Sequence, residues 1–268
     1  SLVLNSIDNY QEAIKMKINF INIDFKGKKI FSKISYDSKK FISQSFKLAL
    51  KILNDANGEG VLINGPVAKK TFLKKKYLGV TEYLAKKTNS SNEVMLIYND
   101  KISVSPLTTH IPLKNVAENI SREKIIKNVV KLDNFFKKKL NKKIKFAVLG
   151  LNPHCESIDK ISEEDRIIIP AIKNLTKKNI KIEGPFSADT FFIKKNLDKF
   201  DLVIGMYHDQ VLTPMKTLFK FDAINLTIGL PFIRISPDHG PNFEMSGKNL
   251  SDPSSLFCAM RFIDKLSL

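Results

Sequence analysis

The sequence predicts an α/β fold built on a mixed sheet in which most strands are parallel. Two observations carry this prediction. Short apolar runs alternate along the chain with longer stretches of helical periodicity, and the turn dipeptide Asn99-Asp100 separates two of the apolar runs as in a hairpin. The chain has 268 residues, of which 43% are hydrophobic. This length and composition suffice to bury a large core and argue against disorder.

The predicted strands are short apolar runs bounded by polar or turn-forming residues, at 61–63, 94–98, 102–104, 146–150 and 202–206. Two predicted helices have apolar side chains that recur on one face, at residues 41–53 and 125–140. A third helix is expected to begin at Ser162, because acidic residues follow it and are favoured at a helix N-terminus.

The charge of the chain invites a comparison with nucleic-acid-binding proteins, since the net value is +17. However, 40 of the 44 basic residues are lysines spread along the chain, and only four are arginines. Arginine is the residue that base readout and bidentate phosphate recognition favour. We therefore expect no nucleic-acid partner. The positive field should help an anionic small substrate to approach.

Three features predict a cytoplasmic protein without membrane association. No apolar run approaches the roughly 18–20 residues that a membrane span needs. Residues 1–10 are too mixed and polar for a secretory signal. The two cysteines, Cys155 and Cys258, are too few for a disulfide scaffold and fit a reducing compartment.

Three of the four histidines, His110, His154 and His208, directly follow predicted strands. In open α/β sheets, ligands bind just beyond the carboxyl ends of strands. Three imidazoles that leave one position open suit a catalytic divalent transition metal, with Asp189 and Asp209 as carboxylates that orient the rings. The alternative is that each histidine caps a strand end and bonds its own loop, and the residues alone leave both readings open.

A second set of polar residues, Lys216, Asn225 and Arg234, is spaced nine apart in a segment otherwise rich in apolar residues. A guanidinium is rarely buried without an anionic partner. That partner is either a structural carboxylate or a substrate phosphate, to which arginine and lysine are well suited.

The sequence contains neither the glycine fingerprint of a Rossmann nucleotide site nor a Walker A loop. The segment Asp238-His239-Gly240, followed by Ser246-Gly247-Lys248-Asn249, either forms a polar loop around a nucleotide or is an ordinary surface turn.

Six segments stand in a characteristic order along the chain: Asn64-Gly65-Pro66-Val67, Thr108-Thr109-His110-Ile111-Pro112-Leu113, Gly150-Leu151-Asn152-Pro153-His154, Gly184-Pro185-Phe186-Ser187-Ala188-Asp189-Thr190, Tyr207-His208-Asp209-Gln210 and Gly229-Leu230-Pro231-Phe232-Ile233-Arg234. Together they resemble the 4-hydroxythreonine-4-phosphate dehydrogenase family of pyridoxine biosynthesis. Asp238-His239-Gly240 continues the match, which runs from about Gly60 to the end of the chain. Each segment alone is weak evidence for the family, but six segments in this order are highly specific for it.

The resemblance implies an isocitrate/isopropylmalate dehydrogenase-like fold with two α/β lobes, a mixed, mostly parallel sheet and a cleft between the lobes. It implies that residues 1–75 plus 214–268 form the lobe with the phosphate and NAD contacts. Residues 76–213 would form the metal-binding and dimerisation lobe of a homodimer.

The resemblance also implies the roles of the site residues. One divalent metal (zinc, magnesium or cobalt) would be bound by His110, His154 and His208 and shared across the dimer interface. The substrate-binding positions would be Thr81, Lys216, Asn225 and Arg234. NAD, or NADP, would lie on the loop Asp238, His239 and Gly240, which resembles the nucleotide loop of isopropylmalate-type dehydrogenases.

The activity implied is oxidation and decarboxylation of 4-phosphooxy-L-threonine to 3-amino-2-oxopropyl phosphate. In the implied reaction the metal would supply a Lewis acid, and Lys216 and Arg234 would hold the substrate anions. Asp209, Asp189 and Lys216 are the candidates for catalytic proton transfer, with water as a further alternative.

The sequence departs from the family pattern at several positions. Val80 stands where the family has histidine before Thr81, and Cys155-Glu156-Ser157 replaces glycine-rich residues after His154. The glycine-rich segment with which family members usually begin does not occur. Two alternatives therefore stay open: a related dehydrogenase of threonate or erythronate phosphate, and a non-redox phosphate acyltransferase on a related fold.

Overall fold

An eight-stranded mixed sheet organises the chain, for which a computed structural model describes residues 4–25, 38–74, 76–91, 93–158, 161–220, 222–237, 240–241 and 243–267. A separate parallel pair of short strands precedes it, β1 (Leu4–Ser6) and β2 (Ile18–Phe20). The strands of the main sheet are β3 (Val61–Ile63), β4 (Val94–Tyr98), β5 (Ser103–Thr108), β6 (Lys145–Leu149), β7 (Lys181–Phe186), β8 (Leu202–Tyr207), β9 (Ile224–Ile228) and β10 (Ile233–Pro237).

The helices of the described chain are α1 (Ser38–Asp55), α2 (Lys69–Leu73), α3 (Val80–Lys87), α4 (Arg122–Lys139), α5 (Ile169–Lys177), α6 (Ala188–Phe191), α7 (Lys194–Leu197), α8 (His208–Phe219) and α9 (Ser254–Ile263). A π-helical turn, Glu164–Ile168, leads into α5. Short 3₁₀ turns occur at Tyr10–Glu12, Leu113–Asn115, Ala117–Asn119, Pro153–Cys155 and Phe243–Met245.

The strand order in the main sheet is β3-β10-β9-β4-β5-β8-β6-β7. The pairs β3/β10, β5/β8, β8/β6 and β6/β7 are parallel, whereas β10/β9, β9/β4 and β4/β5 are antiparallel. The predicted mixed sheet with mostly parallel strands is confirmed. So is the hairpin around Asn99-Asp100, in which Ile97 lies opposite Val104.

Helices cover both faces of the sheet because strand side chains alternate between them. In β8, Leu202, Ile204 and Met206 belong to the core under α4, α5 and α9, while Val203 points into the core under α8. On α4, Ile125, Val129 and Leu132 are fully buried at the helical spacing that the sequence predicted. Ser162 begins the third predicted helical segment, where its Oγ accepts a hydrogen bond from the Asp165 amide at 3.2 Å.

The sheet contains strands from both predicted lobes. β9, in the segment 214–268, pairs along its length with β4, in the segment 76–213. The division into two lobes stays a prediction. Within the described part of the chain, no helix combines the length and apolar character that crossing a bilayer requires.

Candidate active site

Three neighbouring parallel strands end at the same edge of the sheet, and a histidine follows each of them. His110 comes two residues after β5, His208 begins α8 directly after β8, and His154 lies in the turn after β6. Since parallel strands share one carboxyl edge, the fold places all three histidines along it.

His110 and His208 meet at this edge. Their ring centroids are 5.9 Å apart, and both rings line a cavity of about 340 Å³. His208 Nδ1 lies 2.7 Å from Asp209 Oδ1, and His110 Nδ1 lies 3.6 Å from Glu82 Oε1. With Nδ1 directed at a carboxylate, Nε2 is the ring nitrogen left to bind a metal in each case.

The same cavity contains every substrate-binding residue that the resemblance implies: Thr81, Lys216, Asn225 and Arg234. Its other polar and cationic lining residues are Asn64, Lys69 and Ser236, and its apolar wall includes Val67, Val80, Met95 and Leu212. These residues come from both segments of the predicted two-lobe division.

Arg234 is the most deeply buried cation of the cavity, with 5% of its surface exposed. Its Nε donates to Asn64 Oδ1 at 2.7 Å, and its Nη1 donates to Thr81 Oγ1 at 3.2 Å and to Thr227 Oγ1 at 3.1 Å. These three acceptors are uncharged. Burial lowers the pKa of the guanidinium to about 10, and the nearby charge of Glu82 acts in the opposite direction, so Arg234 stays charged at neutral pH.

Asn225 supplies an acceptor to the cavity. Its Oδ1 is buried and has no hydrogen-bond partner among the described residues. A buried carbonyl oxygen without a donor is costly, because it has lost its hydrogen bonds to water and has formed none within the protein. The atom is therefore suited to a ligand that brings an N–H or O–H group.

His154 stands apart from the other two histidines within one chain. Its side chain is 73% exposed, and its Nδ1 lies 3.9 Å from Asp189 Oδ2. A hydrogen bond from Ser187 Oγ to Asp189 (2.6 Å) lowers the pKa of that carboxyl group. Across the described ranges, no three side chains of histidine, cysteine, aspartate or glutamate lie close enough together to hold a metal.

The loop that carries His154 is nevertheless fixed at its base. Glu164, 1% exposed, accepts hydrogen bonds from the amides of Leu151 (2.7 Å) and Asn152 (2.9 Å) and from Asn152 Nδ2 (2.9 Å). Gln210 donates to Gly150 O and accepts from the Met206 amide, both at 2.7 Å. The end of β8 and the loop after β6 are thereby joined.

Several predicted residues lie outside the cavity or outside the described residues. Asp209 is 80% exposed and contacts the site through His208, and Asp189 lies beside His154. Gly240 lines the cavity, whereas Asp238 and His239 lie outside the described residues.

Sequence reasoning missed Glu82, Asn64 and Lys69. Asn64 stands in one of the ordered segments, so its position after β3 was a signal for it. Glu82 directly follows Thr81, but nothing in the sequence places it against His110. Val80, which is part of the cavity wall, is 7% exposed and belongs to a hydrophobic cluster with Phe46, Phe72 and Leu84.

The family model described as pyridoxal phosphate biosynthetic protein PdxA matches residues 1–263 of the chain. The 4-hydroxythreonine-4-phosphate dehydrogenase of Sulfurihydrogenibium sp. (strain YO3AOP1) is 38% identical over 261 residues, which cover 95% of this chain and 79% of that protein. The D-threonate 4-phosphate dehydrogenase of Pectobacterium atrosepticum is 34% identical over 192 residues, which cover 71% of this chain and 59% of that protein.

Solved structures have the same architecture. The crystal structure of 4-hydroxythreonine-4-phosphate dehydrogenase from Klebsiella pneumoniae superimposes with a TM-score of 0.80 at 26% identity, covering 97% of this chain and 82% of that one. Isocitrate dehydrogenase from Methylococcus capsulatus gives a TM-score of 0.51 at 12% identity, covering 84% of this chain and 76% of that one, a likeness of fold alone. The fold class implied by the resemblance is confirmed.

Proposed function

The chain belongs to the family described as pyridoxal phosphate biosynthetic protein PdxA, and from that membership we propose how its residues carry out the reaction. It is an enzyme, a 4-hydroxythreonine-4-phosphate dehydrogenase. We propose the oxidation and decarboxylation of 4-phosphooxy-L-threonine to 3-amino-2-oxopropyl phosphate, dependent on NAD or NADP and on a divalent metal, in the cytoplasm.

The observation that carries the proposal is the shared cavity. Two imidazoles, from His110 and His208, and the cationic side chains of Lys216 and Arg234 surround a space of about 340 Å³. That is the size range of small-ligand sites. A phosphorylated hydroxy acid needs cations for its carboxylate and phosphate groups, together with a group that binds its hydroxyl.

The donor set fits a transition-metal ion. Imidazole nitrogen suits zinc and cobalt better than magnesium, and a carboxylate behind each imidazole is the usual support. We propose that His110 and His208 hold the ion together with His154. When bound, the metal supplies Lewis-acid stabilisation of negative charge that develops on a substrate oxygen.

We propose that Arg234 binds a substrate anion. Three uncharged acceptors fix the plane of its guanidinium, and its positive charge has no carboxylate hydrogen-bonded to it among the described residues. Lys216 binds the second anionic group, and Asn225 Oδ1 accepts from a donor on the substrate. Together they hold the reacting carbon in one orientation, which lowers the entropic part of the barrier.

Of the three candidates for proton transfer, Lys216 lines the cavity, while Asp209 and Asp189 lie beside histidines. We therefore assign proton exchange with the substrate to Lys216 and the orientation of the two imidazoles to Asp209 and Asp189. The loop that includes Asp238, His239 and Gly240 would hold the nucleotide of NAD or NADP, and the bound cofactor would supply an acceptor for the hydride.

A homodimer completes the site in this proposal. His154 is exposed on the same edge of the sheet, and large apolar side chains are exposed on the segments that follow β5, β6 and β7: Leu113, Ile158, Ile161 and Ile193. Exposed apolar side chains near a site support an interface there. We propose that a second subunit covers this surface and that each site takes His154 from the partner.

The experiment is a substrate panel. NADH formation is measured with 4-phosphooxy-L-threonine, D-threonate 4-phosphate and D-erythronate 4-phosphate, using protein loaded with zinc, cobalt or magnesium. Turnover of 4-phosphooxy-L-threonine is expected to exceed the others, and its absence would reject the proposed substrate. D-threonate 4-phosphate is the second candidate, because a D-threonate 4-phosphate dehydrogenase is among the relatives and because Val80 stands where the family has histidine.

A further inference from the structure

Glu82 is the carboxylate that faces His110. It lies in the first turn of α3, beside Thr81. The two neighbours contact two different residues of the cavity: Thr81 Oγ1 accepts from Arg234, and Glu82 Oε1 lies 3.6 Å from His110 Nδ1.

Two buried atoms at this contact have no hydrogen-bond partner among the described residues, His110 Nδ1 and Glu82 Oε2. The side chains are only 29% and 26% exposed. A buried ring nitrogen loses free energy when it is unpaired, and the Glu82 carboxylate is the acceptor that the structure places beside it.

The backbone makes room for this carboxylate at Gly79, the residue that precedes α3. A Cβ at this position would lie 2.8 Å from Glu82 Oε2 and 3.7 Å from His110 Cε1. The space that a side chain would fill is taken by the Glu82 carboxylate.

Charge also favours a carboxylate here. The cations Lys69 and Arg234 line the same cavity, so a carboxylate beside it is electrostatically favourable.

We infer that Glu82 is a positioning residue: it accepts a hydrogen bond from the Nδ1–H group of His110, fixes that tautomer of the ring and leaves Nε2 to bind the metal. This role rests on the proposed function, because it takes His110 as a metal ligand. Asp209 has the corresponding contact with His208 Nδ1, so both imidazoles of the cavity have a carboxylate behind them.

The first test determines the tautomer of His110 in the metal-free protein. The chain has four histidines, so a ¹⁵N-histidine spectrum of the metal-free protein at pH 8 resolves few rings, and His110→Asn identifies the His110 signals. We expect the Nδ1–H form in the wild type and in Glu82→Gln, whose amide oxygen still accepts. In Glu82→Ala we expect the Nε2–H form to appear. An unchanged His110 tautomer in Glu82→Ala overturns the inference.

The second test measures Co²⁺ affinity by calorimetry in the same variants, with the exposed Glu118→Gln as control. We expect Glu82→Ala to weaken Co²⁺ binding about 10–100-fold, Glu82→Gln to weaken it less, and the control to match the wild type. Equal Co²⁺ affinity in the wild type and in Glu82→Ala overturns only the role inferred for Glu82. Absence of Co²⁺ binding by the wild type overturns the proposed metal site itself. Thermal unfolding of each metal-free variant verifies folding.

Discussion

Thr81 and Arg234 are separated by 153 positions in the chain, and Arg234 Nη1 donates a hydrogen bond to Thr81 Oγ1 at 3.2 Å. This bond joins the first turn of α3 to β10 in the wall of the cavity. It orients a buried guanidinium that has neutral acceptors around it and its charge available for a ligand.

Thr81→Val removes that acceptor with little change of shape. We expect KM for the phosphorylated substrate to rise about two- to tenfold with kcat little changed, because one hydrogen bond contributes about 0.5–1.5 kcal/mol. Steady-state kinetics measure this. Thr176→Val is the matched control, since its hydroxyl donates to Ile172 O on α5. An unchanged KM for Thr81→Val would mean that Arg234 does not depend on Thr81.

His208→Ala removes a proposed metal ligand whose side chain is one-third exposed. We expect loss of metal binding and turnover while the far-UV circular dichroism and Tm of the metal-free protein stay close to wild type. Asp209→Ala keeps the ring but frees Nδ1, so metal affinity should fall about 10–100-fold. The exposed Asp198→Ala serves as control. Full metal content in His208→Ala would rule out its role as a ligand.

A mixing experiment tests whether each site takes His154 from the partner. His154→Ala and His208→Ala are each expected to be inactive. After joint unfolding and refolding, random pairing makes about half the dimers mixed, and each mixed dimer has one intact site, so about a quarter of wild-type activity should return. No recovery, with mixed dimers present by native mass spectrometry, would place the three histidines of a site in one chain.

Glu164 gives a pH-dependent contribution to stability. Burial raises the pKa of this carboxyl group, but hydrogen bonds from Asn152 and Leu151 outweigh burial and leave it below the ordinary value of 4.5. Its stabilisation is therefore complete above that value and is lost as the pH falls through the lower pKa of the folded state.

Glu164→Gln should accordingly lower the free energy of unfolding by about 1–3 kcal/mol at pH 7, because its amide places a donor against the Asn152 donors. The difference from wild type should shrink as the pH falls below 4.5. Urea unfolding at several pH values measures this loss of free energy and its dependence on pH, with the exposed Glu59→Gln as control. A difference independent of pH would show that the Glu164 charge is not its source.

Local patterns in the sequence were enough to predict the parts of the fold that depend on neighbouring residues. The buried face of α4 could be predicted because Ile125, Val129 and Leu132 recur at helical spacing, and all three are fully buried. The strand-end positions of His110, His154 and His208 were readable because short apolar runs precede them. Their common edge then followed from parallel pairing.

The contacts that build the cavity wall could not be predicted from the sequence, because they join residues far apart in the chain. Asn64 and Arg234 are 170 positions apart, and their contact requires β3 to pair with β10. The antiparallel insertion of β9 between β10 and β4 is equally a product of long-range pairing. Glu82 reaches His110 only after α3 has packed beside the end of β5, so local spacing gave no signal for it.

Anomalous diffraction from crystals grown with Co²⁺ and inorganic phosphate tests most directly the claim that a metal and a substrate anion share this cavity. We expect a cobalt peak bonded to Nε2 of His110 and His208, and phosphate within hydrogen-bonding distance of Arg234 in the same cavity. A cobalt ion bound elsewhere, with His110 and His208 unliganded, would contradict the proposed active site.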